Sequence, residues 1–206
     1  MGEQIIISSI DDLKSKIIDF VKASKQDNPI ISVDGFFGVG KTTILKALCA
    51  ELGYKHIELD RHLDDNIFED KINYNEYLSN GGLLFKRIND LVDLIHATKV
   101  PIILDGAFVE NLLHHEKRIN RIASVYLKRV LELSSKYKSS YWVDKDECDF
   151  DDLDKKIEKE RATAKVFDKG LLNFLNEELI RYHYNYKPHK KADITLEYQH
   201  TEDKKC

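Results

Sequence analysis

Cysteine is scarce in this 206-residue chain: Cys49, Cys148 and Cys206 are odd in number and form no C-x-x-C pair, so neither a disulfide framework nor a zinc site is indicated and reduced thiols are the expectation. Long hydrophobic runs are missing too. No apolar stretch approaches the roughly 20 residues that cross a bilayer, so no membrane role is expected. The start, Met1-Gly2-Glu3-Gln4 and then Ile5 to Ile7, lacks the basic, apolar and small-residue parts of a signal peptide, and a cytoplasmic protein is expected. There is no basic excess. A net charge of −4 gives no general attraction to nucleic acid, so a small or Mg²⁺-neutralised substrate fits better than a nucleic-acid partner. The acidic run from Asp144 through Asp146, Glu147, Asp149, Asp151 and Asp152 to Asp154 has no central glycine of the calcium-loop kind and reads as a solvated face.

What is present is an ordinary globular composition, 42% hydrophobic and 33% charged, in a length that fits one domain with room for an insertion. Strand and helix signals alternate, which predicts a mostly parallel sheet covered by helices on both faces, a three-layer α/β/α fold. Ser8 or Ser9 can cap a helix whose Leu13, Ile17, Phe20 and Val21 share a face. Strands are expected over residues 5–7, 29–34, 55–59, 101–104, 123–127 and 192–196. Helices are expected after the loop at residue 40, from Leu84 to Ile95, through Val130, Leu131 and Leu133, and over 170–186, with Pro188 ending the last of them.

The most specific feature is a loop. Gly35, Phe36, Phe37, Gly38, Val39, Gly40, Lys41 and Thr42 fit G-x-x-x-x-G-K-[ST], preceded by a buried-strand pattern and followed by Ile44, Leu45, Leu48 and Leu52 at helical spacing. Glycines let backbone N–H groups turn toward a phosphate, and the helix N-terminus adds partial positive charge. Lys41 is the expected β/γ-phosphate cation, Thr42 the expected Mg²⁺ ligand, and Thr43 lies beside them at the helix start. Pro101-Ile102-Ile103-Leu104-Asp105-Gly106 reads as a buried strand delivering Asp105 to the same edge of the sheet as the phosphate loop, where it is expected to hold Mg²⁺ through water. A nucleoside triphosphate, ATP by preference, and Mg²⁺ are therefore the expected substrate and cofactor.

Two further absences choose among nucleotide chemistries. Gly106, not Glu, follows Asp105, which argues against a motor ATPase, and no N-K-x-D guanine-reading sequence occurs. Phosphoryl transfer to a hydroxyl needs a positioned carboxylate and a cationic lid, for which Asp60 and the basic stretch around Arg161 are the candidates. The segment around 139–169 is the expected lid within a single domain.

Val33-Asp34-Gly35 entering the loop, Glu58-Leu59-Asp60, and Leu104-Asp105-Gly106 resemble the uridine kinase and phosphoribulokinase branch of P-loop kinases. Tyr182-His183, Tyr186, Pro188 and Ala192-Asp193 resemble the Y-H-x-x-Y-x-P-x-x-x-A-D ending of uridine kinase-like proteins. The resemblance implies a P-loop kinase fold, ATP as donor, a small-molecule acceptor, Asp60 as general base and Arg161 as lid cation. It departs from the family at the acceptor: Asp60-Arg61-His62-Leu63 replaces D-x-F-Y, Gly81-Gly82 runs straight toward a helix where a hairpin is usual, and the lid offers one arginine among lysines. Arg61, His62, Tyr74, Tyr77 and Arg87 are candidate acceptor-pocket residues. The other readings are a nucleotide-binding regulatory protein and a kinase of a nucleotide-sugar or macromolecule. His114-His115-Glu116 reads as an exposed helix turn, Tyr141 and Trp142 as packing, and Cys49 as a core residue.

Overall fold

Apolar side chains on alternate strand residues divide the molecule into two faces, as a two-residue period requires. The computed structural model describes residues 4–36, 38–63, 85–134, 140–144, 149–166 and 174–199. The strands are β1 (Ile5–Ile7), β2 (Ile30–Asp34), β3 (Lys55–Glu58), β4 (Ile102–Asp105), β5 (Arg121–Ser134), β6 (Ser140–Asp144) and β7 (Ile194–Gln199). The helices are α1 (Ile10–Ala23), α2 (Lys41–Leu52), α3 (Ile88–Ala97), α4 (Val109–His115), α5 (Leu153–Val166), α6 (Phe174–Tyr186) and the single turn α7 (Pro188–Lys191). Six strands are mutually parallel in the order β1-β7-β5-β2-β4-β3, and β6 pairs antiparallel with β5.

One face carries Ile30, Ile57, Ile102 and Leu104 against Leu91, Val92 and Ile95 of α3, Val109 and Leu112 of α4, and Leu179 and Tyr182 of α6. The other carries Ile31, Val33, Ile103, Val125, Leu127, Ile194 and Leu196 against Leu13 and Ile17 of α1 and Leu45, Leu48 and Cys49 of α2. The result is the three-layer α/β/α fold with a mostly parallel sheet. Each such side chain contributes about 1.5–3 kcal/mol relative to exposure, and β2 is buried along its whole length. That burial fixes β2 at the centre of the sheet, with the phosphate loop leaving its carboxyl end.

Local chemistry sets the helix ends. Ser9 caps α1, its Oγ accepting from the Asp12 N–H at 3.0 Å, with Asp11 and Asp12 in the positive first turn. Gly53, at φ 69°, ends α2 in the left-handed conformation that glycine adopts without strain. Pro188 opens α7, where its missing N–H costs nothing.

The helix expected through Val130, Leu131 and Leu133 is instead the continuation of β5. Its residues 125–130 pair with β7 and residues 130–134 with β6, so long-range ladders override a short apolar run that is ambiguous by itself. The last strand begins two residues later than expected, at Ile194. Of the segment read as a lid, 140–144 forms the second strand of this hairpin and 153–166 forms α5, whose Ile157 is buried. Asp149 pairs with Lys190 and Asp152 accepts from the Lys155 N–H at the start of α5, so part of the acidic run has structural partners.

Candidate active site

The glycines act where the loop leaves β2. Gly35 has φ 150°, and a Cβ there would lie 2.7 Å from the Leu127 carbonyl oxygen, which only glycine avoids. Gly40 stands at φ 81° immediately before α2 and, having no side chain, does not itself cap the first-turn N–H groups. Lys41 is 6% exposed; its Nζ donates to the Gly35 and Phe36 carbonyls at 2.8 and 2.9 Å, which holds the ammonium over the loop. Val39 is buried beneath it, whereas Gly38 and Thr43 face solvent. Phe37 lies outside the described residues.

Asp105 and Thr42 lie close together. The parallel register of β2 and β4 sets Asp105 opposite Val33, on the α2 side of the sheet. There the Thr42 hydroxyl lies 3.4 Å from Asp105 Oδ2. Two hard oxygens at the mouth of a phosphate loop fit Mg²⁺, which takes one or two protein ligands and keeps waters and phosphate oxygens for the rest. No cluster of three or more His, Cys, Asp or Glu side chains that could hold a metal ion occurs among the described residues. Asp105 Oδ1 is occupied by His56 Nε2 of β3 at 2.7 Å.

Asp60 sits in a 3₁₀ turn, Leu59–His62, that follows β3 directly. Its Oδ1 accepts from the Ala107 N–H at 3.2 Å, which ties the turn to the residues after β4. Burial raises its carboxyl above the usual carboxylate range, Lys41 and the Ala107 N–H oppose that, and Asp105 and Glu58 add to it. Asp60 thus lies within the electrostatic reach of both Lys41 and Asp105. Beside it, Glu58 pairs with Lys46 of α2 and with Arg61.

The sequence motif near the carboxyl end folds back on the loop. The Tyr182 hydroxyl donates to Asp34 Oδ2 and accepts from the Glu110 N–H at 3.0 Å, while Asp34 Oδ1 accepts from the Gly35 N–H at 2.6 Å. Burial pushes the Asp34 carboxyl up to about 7 despite the Tyr182 bond and Lys41. His183 stacks on Phe36 with ring centroids 4.1 Å apart. Its Nδ1 faces the Leu179 carbonyl at 2.8 Å and its Nε2 the Tyr126 hydroxyl at 3.0 Å. Burial drives its pKa down to about 3, so the ring is neutral; the proton sits on Nδ1, because a carbonyl only accepts, and Tyr126 donates to Nε2. Asp193 accepts from the Ser124 N–H and hydroxyl at 2.8 and 2.7 Å, joining β7 to β5.

No family model and no curated protein matches the sequence. Solved structures do match. The chain is similar to a possible uridine kinase from Bacillus stearothermophilus (16% identity, 91% of this chain and 96% of that one, TM-score 0.48). It is similar also to a gluconokinase from Sinorhizobium meliloti (13%, 86% and 86%, 0.38) and to a shikimate kinase from Bacteroides thetaiotaomicron (15%, 82% and 85%, 0.35). This is structural similarity to small-molecule kinases at low identity, a likeness of chain course, and the chemistry has to be read from the side chains themselves.

Those side chains do not all converge. Lys41, Thr42, Asp105 and Asp60 share one end of the sheet; Arg161, exposed on α5, is instead ion-paired with Glu177 of α6 at 2.6 Å. Among the candidate acceptor residues, Arg61 is exposed and bonded to Glu58, burial lowers the pKa of the partly buried His62, and Arg87 is exposed; Tyr74, Tyr77, Gly81 and Gly82 lie outside the described residues, as do Lys165 and Lys169 for side-chain position. His114 and His115 are exposed and Glu116 is bound by Arg118, so the metal-like triplet is a helix end. Cys49 is a core residue whose thiol burial and Asp105 push up to about 11. Sequence reasoning gave His56 and Asp34 no role. A histidine one strand away from Asp105 was the available signal for the first, and the Tyr182-His183 pair the signal for the second.

Proposed function

We propose that the protein is an ATP- and Mg²⁺-dependent kinase that transfers the γ-phosphoryl group to a hydroxyl of a small-molecule acceptor. The observation that carries this reading is the position of Asp60, a carboxyl of raised pKa tied to the Ala107 N–H and within the electrostatic reach of both Lys41 and Asp105. Loop N–H groups and Lys41 would hold the phosphates, and Thr42 and Asp105 would hold Mg²⁺. Bound there, the ion would neutralise charge on the phosphate oxygens. Asp60, fixed through Oδ1, would take the acceptor's hydroxyl proton on Oδ2 as the acceptor oxygen bonds to the γ-phosphorus and the bond to ADP breaks. Residues around 139–169 would serve as the lid of a single domain. Arg161 would be its cation, exchanging Glu177 for phosphate oxygens on closure. The regulatory alternative lacks a use for a base at Asp60.

Asp60→Asn tests the reading. ADP release is measured against nucleosides, sugars and hydroxy acids, and ATP affinity by calorimetry. Acceptor-dependent turnover should fall by about 10²–10⁴-fold while ATP binding persists. Undiminished turnover in Asp60→Asn removes the base assignment. ATP binding by the wild-type chain with no acceptor-dependent ADP release favours the regulatory alternative.

A further inference from the structure

We propose that His56 is a positioning residue for the metal-binding carboxylate, fixing Asp105 through one oxygen so that the other stays turned toward Thr42. This rests on the kinase reading of the Thr42–Asp105 pair and adds a residue that neither the phosphate-loop pattern nor the Asp105 strand contains.

The placement follows from strand register. β3 and β4 are parallel with His56 opposite Ile103 and Glu58 opposite Asp105, so His56, Ile103 and Asp105 all face the α2 side. The imidazole then leans one step along the ladder to reach Asp105. His56 Nε2 lies 2.7 Å from Asp105 Oδ1, with the two side chains 10% and 2% exposed. An ionised carboxylate only accepts, so Nε2 carries a proton and donates it.

The two oxygens of Asp105 are held unequally. Oδ1 has a short bond to a partly buried ring, whereas Oδ2 has the Thr42 hydroxyl at 3.4 Å, near the outer limit of a hydrogen bond. The terminal torsion of an aspartate is broad and two-fold, so without the bond at Oδ1 the carboxylate plane would be free to turn. With it, Oδ2 stays at the mouth of the loop beside the one hydroxyl that completes the oxygen pair. On the α2 side, Cys49, which lies close enough to be influenced by Asp105, is a weak thiol donor held neutral. Lys46, the nearby cation, is bound to Glu58 at 2.9 Å.

Loss of an outer partner that orients a metal ligand typically costs about 10–100-fold in metal affinity. The test is ATP affinity by calorimetry across a Mg²⁺ titration and in EDTA, for wild type, His56→Leu and His56→Gln. Leu removes the donor; the Gln amide restores one. The half-saturating Mg²⁺ concentration should rise about 10–100-fold in His56→Leu and return most of the way in His56→Gln, with affinity in EDTA unchanged within about twofold. Unchanged Mg²⁺ dependence in His56→Leu overturns the proposal, as does an equal loss of affinity with and without Mg²⁺, which is the mark of a packing role. A second measurement needs no variant: the ¹⁵N resonance of His56 Nε2 in the wild-type protein should move when Mg²⁺ joins the ATP complex and stay still when ATP is added in EDTA. No response to Mg²⁺ overturns the proposal even if His56→Leu does not fold. Wild-type ATP binding that ignores Mg²⁺ overturns the Thr42–Asp105 metal site itself and this inference with it, whereas a Mg²⁺-responsive wild type beside an equally responsive His56→Leu overturns only the role of His56.

Discussion

Asp34 and Asp105 end neighbouring parallel strands one residue apart in register, yet they point to opposite faces of the sheet and live in different chemistry. On the α2 side, Asp105 meets a histidine and a threonine hydroxyl at the end of the phosphate loop. On the α6 side, Asp34 meets the Tyr182 hydroxyl and the Gly35 N–H, and burial pushes its pKa up to about 7. Tyrosine is a neutral partner, and Lys41 offsets only part of the desolvation of the carboxylate. Strand-end aspartates are therefore not interchangeable: the face, set by a two-residue period, decides which of them can serve a cation and which ties the loop to a helix.

The sharpest way to break that comparison is to neutralise each carboxyl in turn. Asp105→Asn keeps the shape but removes the charge proposed to hold Mg²⁺, and turnover should fall about 10²–10³-fold, the size of effect seen when one preorganised charge-stabilising group is lost. Asp34→Asn resembles the protonated form that burial already favours, so its turnover should stay within about tenfold of wild type, one pKa unit of differential interaction. Steady-state kinetics of the two purified variants decide it. Equal losses would mean that the two faces are not distinct.

Much of the loop is legible in the sequence because it is local. The loop, its strand and its helix are contiguous, so Gly35, Lys41 and Thr42 could be placed by pattern, and Asp105 by a buried run ending in a carboxylate. Ser9 as a cap and the two-faced parallel sheet were equally accessible, since both rest on short-range periodicity. The misread segment is the opposite case: Val130, Leu131 and Leu133 have the spacing of a helix turn, and only pairing with β6 and β7 makes them strand. His56 was invisible for the same reason, because its meaning comes from the register of β3 on β4. The Tyr182-His183 pattern could be recognised but not explained until Tyr182 was seen on Asp34 and His183 on Phe36.

A second, smaller effect sharpens the contrast on the α6 side through pH. Asp34 has a folded pKa near 7 against 3.8 in the unfolded chain, so between those values the folded state keeps a proton that the unfolded state has released. Stability then falls as pH rises through this window. His183 does the reverse. Its folded pKa near 3 against 6.5 means that the unfolded state binds the extra proton, so its contribution is lost as pH falls from about 6.5 toward 3. The two slopes oppose one another across most of the interval. Denaturant unfolding at pH 4, 5.5 and 7 should show Asp34→Asn gaining on wild type as pH rises, and His183→Gln gaining on wild type as pH falls. Parallel curves for all three proteins would remove the buried carboxyl and the buried imidazole as titrating groups.

The smallest expected effect separates Asp105 from its neighbour Asp60. Gly106 follows Asp105, and a Cβ at Gly106 would lie 2.8 Å from Leu59 Cβ and 3.1 Å from Asp60 Oδ1. Leu59 is fully buried and cannot yield by swinging into solvent, so Gly106→Ala must push the Leu59–His62 turn away from β4. Overpacking of this kind costs about 1–3 kcal/mol. The displaced atom is the Asp60 carboxylate, whose bond to the Ala107 N–H would lengthen while Asp105 keeps His56 and Thr42. Turnover should therefore fall about tenfold, short of the roughly 10²-fold that a full ångström of misplacement costs, with ATP affinity and its Mg²⁺ dependence unchanged. Kinetics and calorimetry on the one variant read both quantities. Wild-type turnover in a Gly106→Ala protein whose stability has dropped would show that the turn can move without consequence, and would take Asp60 out of the proposed chemistry while leaving the Asp105 face intact.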